Sequence, residues 1–323
     1  MEPIRRAVID VGTNSVKLLV ADVAGHEVQP VCEQSKQTRL GHGFYETHRL
    51  QSDAVAATAT AVAGFAAMAR EAQAVSIRVL ATSAAREAVN REELTAAIEQ
   101  AAGLKVEVIS GQQEAELGFQ GVTTDPQLLQ APLLLMDVGG GSAQFTFGQG
   151  GNIHFCHSFP LGSVRLLETF PCSDPPKADE LAACRQWLER FLQTEVRPKL
   201  LPKMGNIEPR GVQLVGVGGT ATILACMETK LEAFDRARIE ATSLSAARIS
   251  WHLEHLWSLP MEERKKTIGL PRNRADVILM GAAIYQAVME EFGFRELRIS
   301  TRGLRFAAVM EHIDLTRARA KRL

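Results

Sequence analysis

The sequence predicts an α/β protein made of two related halves, and three observations carry that reading. An apolar run of strand length, Leu133–Met136, ends at Asp137 and continues into Val138, Gly139, Gly140, Gly141 and Ser142. The same design stands 127 positions earlier, where Ala7–Ile9 leads into Asp10, Val11, Gly12, Thr13, Asn14 and Ser15. That period is domain-sized and far too long for a solenoid repeat. Strand-like segments alternate with helical ones through much of the chain, as in an α/β layer with a mixed sheet. Glycines let such turns fold back tightly and aim N–H groups at an anion. An Asp where strand meets turn can hold a cation through its water shell. Two matched turns would clamp one polyphosphate between the halves.

Composition narrows the partners. At 323 residues the chain is long for one core, so two domains are expected. It is 46% hydrophobic and 23% charged, an ordinary globular balance. Lys+Arg 36 against Asp+Glu 37 leaves a formal net charge of −1, which argues against a general nucleic-acid coat. A polyanion site must then be a local concentration of positive charge. The five cysteines are scattered and never form C-x-x-C, which reads as reduced thiols in a cytoplasmic protein. Met1–Arg6 carries no visible signal peptide. The Ala-rich stretch Ala54–Ala69 is too short to span a bilayer and contains Thr58 and Thr60, so a buried helix is expected and no membrane partner.

Taken in order, three strands open the chain at Ala7–Val11, Val16–Val23 and Val28–Cys32, with Gly25 and His26 as a hairpin turn. Thr38–Gly43 reads as a loop, and Ser52 as the cap of a long helix reaching Ala72. Strands at Ile77–Thr82 and Val106–Ile109 bracket helices at Ala84–Val89 and Arg91–Ala102. A helix over Gln112–Gly121 opens just after Ser110 and Gly111. The second half repeats the plan, with strands at Leu133–Val138, Gln144–Phe147 and Ile153–Ser158 and helices at Ser163–Phe170 and Asp179–Leu200. Another apolar strand, Val212–Val217, runs into a third glycine turn at Gly218, Gly219 and Thr220. Helices follow at Ala221–Glu228, Ser245–Leu259, Met261–Thr267 and Ala275–Glu291, then a strand at Leu297–Ser300 and a helix at Gly303–His312. The basic end, Arg317–Arg322, reads as a solvated terminus.

Beyond the three turns, the chain carries Ala81-Thr82-Ser83-Ala84-Ala85-Arg86, Ile109-Ser110-Gly111-Gln112-Gln113-Glu114-Ala115 and Pro160-Leu161-Gly162-Ser163-Val164-Arg165. Arg274-Ala275-Asp276-Val277-Ile278 and Ser300-Thr301-Arg302-Gly303-Leu304-Arg305 follow. In order and spacing these resemble the exopolyphosphatase/guanosine pentaphosphate phosphatase (Ppx/GppA) family in its short two-domain form, within the actin-like superfamily. The resemblance spans essentially the whole chain. It implies two actin-like (ribonuclease H-like) domains with the active site in the cleft. The first would span 1–118 and regain about 297–323, and the second 119–296.

The resemblance also implies roles. Glu114 takes the place of the family's catalytic base, and Arg86 that of its phosphate-binding arginine, standing where a strand end meets a helix start. Asp10 and Asp137 match cation-handling carboxylates, implying Mg2+ or another divalent cation. Gly12, Thr13, Asn14, Ser15, Gly139, Gly140, Gly141 and Ser142, with Gly218, Gly219 and Thr220, would cradle phosphate oxygens. The chain departs from the family at Gln144, where a Glu is common, and at Gln112 and Gln113, often acidic. Fewer nearby negative charges should leave Glu114 with less like-charge elevation of its pKa. Lys17, Arg39, Arg165, Arg272, Arg302 and Arg305 are candidates for lining a polyanion groove. His252 and His255 share a helix face without a third ligand, so no zinc site is expected. The leading expectation is hydrolysis of the terminal phosphoanhydride of inorganic polyphosphate. The rivals are hydrolysis of guanosine pentaphosphate or another nucleoside polyphosphate, kinase-type phosphotransfer, and a weakly hydrolytic sensor kept open by Gln144. A homodimer is the expected assembly.

Overall fold

The apolar runs ahead of both Asp-Val-Gly turns become central strands buried on both faces, which is why they read as near-continuous hydrophobic stretches. The computed structural model describes residues 2–205 and 211–311. Its first half contains β1 (Ile4–Val11), β2 (Ser15–Ala24), β3 (Glu27–Gln37), α1 (Ser52–Glu71), β4 (Ser76–Ala81), α2 (Ser83–Glu87), α3 (Arg91–Ala102), β5 (Val106–Val108) and α4 (Gly111–Val122). A single turn, α5 (Pro126–Leu129), leads to β6 (Leu133–Val138), β7 (Ala143–Gln149), β8 (Asn152–Phe159) and α6 (Ser163–Thr169). Then come α7 (Ala178–Phe191), α8 (Arg197–Met204), β9 (Gln213–Val217), α9 (Gly218–Thr229), α10 (Arg236–Glu240) and β10 (Ser243–Ser245). The chain closes with α11 (Ala246–Ser258), α12 (Met261–Arg264), α13 (Ile278–Phe292), β11 (Glu296–Ile299) and α14 (Leu304–Met310).

Sheet order makes the duplication explicit. The first sheet runs β3-β2-β1-β4-β5 and the second β10-β11-β9-β6-β7-β8. Without β10, the second read backwards repeats the first strand for strand. In each, the strand before the Asp turn pairs antiparallel with its successor and parallel with the next strand inward. Register extends the match to single residues, since Asp10 lies opposite Lys17 and Asp137 opposite Gln144. The actin-like α/β architecture expected from the motifs is therefore present.

One boundary is corrected. The strand expected to rejoin the first half, here β11, pairs parallel with β9 through Leu297 opposite Leu214, and so completes the second sheet as the counterpart of β5. Among the described residues of this segment, α14 alone crosses back, packing on β1 and β2. Ser52 is not the cap of α1 either: Gln51 holds that position without a side-chain hydrogen bond, and Asp53 accepts from the Ala54 N–H instead. The third turn belongs to α9, which starts at Gly218 rather than Ala221. The α5, α10 and β10 elements, of three to five residues, are too short for periodicity to reveal. Arg317–Arg322 lies outside the described residues.

Helix α1 is long and apolar enough to cross a membrane by composition alone, but it packs on β1, β2 and α3 with its Val55, Val62, Phe65 and Ala66 buried. Between the sheets lie α4 and α14. Leu117 of α4 shares a cluster with Leu304, Phe306, Val8 and Leu80 of the first half, while Phe119 and Val122 pack with Leu133, Leu135 and Val215 of the second. The helix thus ties both cores together. Its last turn meets the start of α14 so closely that a methyl group on Gly121 would stand 2.2 Å from the Gly303 carbonyl oxygen. Backbone cannot swing aside as a side-chain tip can. Gly121→Ala should therefore destabilise the protein by about 1–3 kcal/mol despite Ala's better helix propensity. Urea unfolding reads this as a lower midpoint, and an unchanged or raised midpoint would refute the close crossing.

Candidate active site

The two Asp turns close identically. The Gly12 N–H donates to the Ser15 carbonyl at 3.1 Å and the Gly139 N–H to the Ser142 carbonyl at 2.9 Å. Both turns face one cavity of about 80 Å³, whose lining includes Asp10, Lys17, Glu114, Asp137, Gln144 and Arg274. The third turn joins them through Gly219 and Thr220. Gly218 sits at φ +83°, and a methyl group there would come within 2.3 Å of Asp137 Oδ1, so glycine is required on both counts.

Burial dominates the electrostatics. It raises the pKa of Asp10 and Asp137 above the ordinary carboxylate value, with the Lys17 ammonium pulling the other way at each. Lys17 is pushed down by the same burial, partly offset by Asp10. Register explains the grouping, because Lys17 projects beside the carboxylate it pairs across from. Two buried carboxylates facing glycine turns are a donor set that fits a hard divalent cation such as Mg2+, which keeps several waters and takes one or two carboxylates. Among the described residues no three His, Cys, Asp or Glu side chains converge into an all-protein cage.

Glu114 stands in the first turn of α4, where Ser110 and Gln113 form a reciprocal capping box. The position of Gln113 is thus explained locally: its side chain accepts from the Ser110 N–H at 2.9 Å. Glu114 Oε2 accepts from Arg86 Nη1 at 3.0 Å. Its pKa is nonetheless raised to about 8, chiefly by burial, against Arg86, with Asp137 and Asp10 adding smaller like-charge contributions. Like-charge elevation is indeed the smaller part; desolvation, which a reading of neighbouring charges does not address, is the larger effect.

Arg86 is also placed differently than expected. It lies in the last turn of the five-residue α2, not at a helix start, and its guanidinium spans the Ile109 carbonyl at 3.1 Å and Glu114. It borders a second cavity of about 380 Å³ with Gln112, Ser142 and His157. Ser15 Oγ accepts from Arg274 Nη2 at 2.6 Å, and Asn14 Oδ1 from Gln37 Nε2 at 3.0 Å. The Thr220 hydroxyl donates to the Val138 carbonyl at 3.4 Å. Gln144 is buried, donating to Ser142 Oγ at 2.8 Å and Ser158 Oγ at 2.9 Å.

The candidate arginines do not form a free cationic row. Arg39 pairs with Asp276, Arg165 with Glu87, Arg302 with Glu240 and Arg305 with Glu33. Arg272 is exposed. Arg274 was visible only as part of a motif, with nothing in its spacing to single it out. His252 is tied to Glu228 at 2.7 Å, outside the cleft.

The pairing of Glu114 with Arg86 has a direct readout. A carbon-detected titration should place the Glu114 carboxyl near pH 8, and Arg86→Met should move it higher, since the lowering charge is gone. A midpoint near 4.5 would refute the buried assignment.

Comparison with known proteins agrees with this geometry. The sequence profile of the Ppx/GppA phosphatase family matches residues 19–314. The chain is 34% identical over 310 residues to Exopolyphosphatase 2 of Mycobacterium tuberculosis, covering 92% of this chain and 94% of that one. The crystal structure of an exopolyphosphatase from Cytophaga hutchinsonii superposes with a TM-score of 0.83 at 27% identity, over 94% of this chain and 96% of that one. The Aquifex aeolicus member of the Ppx/GppA family gives 0.77 at 28%, over 99% of each. Duplicated sheets, facing glycine turns and the profile match together place this chain in the Ppx/GppA phosphatase family.

Proposed function

We propose that this chain hydrolyses the terminal phosphoanhydride of inorganic polyphosphate. The observation that carries the reading is Glu114, whose carboxyl reaches the same small cavity as both glycine turns while ion-paired to Arg86. The names of the related exopolyphosphatases support the substrate. N–H groups of the two turns hold the terminal phosphoryl oxygens, and Lys17 and Arg274 add positive charge beside them. Glu114 orients a water and accepts its proton as the water oxygen bonds to the terminal phosphorus. The anhydride P–O bond breaks, and the bridging oxygen leaves with the shortened chain. Asp10 and Asp137 would hold Mg2+, which when bound neutralises charge on the phosphates.

One observation favours a second substrate class. A cavity of about 530 Å³ continues from the site past Lys17, Asp137 and Arg274, walled by Ile223, Leu231, Phe234, Leu270 and Pro271. Phe234 is 56% exposed. Apolar walls with an exposed ring suit a nucleoside better than further phosphates, which would also meet Glu33 and Glu232 there. Phosphate release from long polyphosphate, short polyphosphate, ATP and guanosine pentaphosphate, compared at equal concentration, separates the two. A dominant nucleotide rate would replace the first reading by the second.

Glu114→Gln should lower turnover by about 10²–10⁴-fold while substrate still binds, and should abolish the rise of kcat/KM with pH toward about 8. Retained turnover would remove Glu114 as the base. Gln144→Glu adds a charge opposite Asp137 in a near-isosteric side chain, and both serine hydroxyls can turn to donate to it. Initial rates against Mg2+ should then saturate at lower cation concentration. An unchanged metal curve would put Gln144 outside the metal's surroundings, and a fast wild type would end the sensor reading.

A further inference from the structure

We propose that Tyr45 is a further binding residue of this site, its phenol donating a hydrogen bond, together with Thr13 Oγ1, to a phosphoryl oxygen seated at the Gly139–Ser142 turn. This rests on the reading of the cleft as a phosphoryl site. Tyr45 comes from the long connection between β3 and α1, which no motif marked. The second half grips that connection. Glu168 accepts from the Gly43 N–H at 2.6 Å and from the Tyr45 N–H at 3.1 Å. The Arg165 guanidinium lies 4.1 Å from the Tyr45 ring centroid. Arg165 is itself fixed, donating to Glu87 at 2.7 and 2.8 Å and to the Gly141 carbonyl at 2.7 Å. The ring is thus pinned over the second phosphate turn.

Its hydroxyl has been brought there beside the Thr13 hydroxyl, with no partner outside that pair. The Tyr45 OH and Thr13 Oγ1 are buried, and neither makes a hydrogen bond of acceptable geometry. A methyl group on Gly141 would stand 2.2 Å from the Tyr45 OH and 2.9 Å from Thr13 Oγ1, so both crowd the same Cα. Ser83 Oγ, at 2.4 Å from that methyl position, is already engaged with Glu87. A buried hydroxyl left unpaired costs stability, and phenylalanine would fill the same space without that cost. Two such hydroxyls beside an N–H-rich turn fit an acceptor-only oxyanion. The ring also lines a neighbouring cavity of about 660 Å³, where Arg39 is paired with Asp276 and Glu46 and Glu168 leave an excess of negative charge. That acidic side is unfavourable to a polyanion, so the ring stands where a phosphate chain gains nothing by passing.

Tyr45→Phe deletes one oxygen and keeps the ring. Its melting temperature without ligand should equal or exceed wild type, while calorimetric affinity for pyrophosphate with Mg2+ falls about tenfold. KM for phosphate release should rise in step. Equal pyrophosphate affinities, or no binding in either protein, would overturn the assignment. A lower melting temperature without ligand would overturn it too, since the hydroxyl would then be structural. Binding is read without turnover, so weakened binding in Tyr45→Phe supports the assignment even where wild type releases no phosphate, a result that sinks only the hydrolase reading.

Discussion

Two carboxylates are buried at the ends of the two central strands, and the rest of the cleft is arranged around that cost. Asp10 and Asp137 carry raised pKa values because burial penalises their charge. Lys17, paired across from Asp10, compensates both, and Arg305 adds to the compensation from α14 while its own pKa is depressed. Gly218 leaves room for Asp137 Oδ1, and the hydrogen-bonded turns hold both strand ends in register. Such a cluster is expensive unless a ligand uses it. A divalent cation held by Asp10 and Asp137 would supply the positive charge that the buried carboxylates lack.

The pseudo-symmetry of the cleft is broken where chemistry needs it. Lys17 and Gln144 occupy equivalent positions opposite the two aspartates, yet one brings a charge and the other an amide anchored by two serines. The side near Lys17 is therefore the more positive. Glu114 comes from α4, the helix joining both cores, so the proposed base is attached to neither lobe alone. Its pKa near 8 follows from that central, desolvated position.

Cross-cleft contacts fix the distance between the lobes. Arg274 donates to Ser15, Arg39 pairs with Asp276, Arg236 with Glu33, and Glu168 accepts from the Tyr45 loop. Arg264 supports this network from within the second lobe, donating to the Leu256, Leu259 and Ala275 carbonyls from a buried position. Of these, Ala275 stands between Arg274 and Asp276, so Arg264 ties the end of α11 to the segment that delivers both to the cleft. The candidate arginines Arg39, Arg165, Arg302 and Arg305 are committed to carboxylates, while Lys17 and Arg274 line the cavity between the turns.

The sequence by itself determined the duplication, the three turns, and the residues of both Asp motifs. Each is written in contiguous residues, and local hydrogen bonds and strand register follow directly from contiguity. The start of α4 just after Ser110 was legible for the same reason, and the structure adds a capping box in which Ser110 and Gln113 satisfy one another within a single turn. Partnerships over long separations were decided by tertiary structure alone. That β11 completes the second sheet depends on pairing with Leu214, far away in sequence. That Arg86 holds Glu114, and that Glu114 is lifted by burial rather than by neighbouring charge, depends on how α2 and α4 pack. Tyr45 had no signal at all. Its role comes from a loop position pinned by Glu168 and Arg165, and an unpaired hydroxyl can be recognised only once every possible partner has been placed around it.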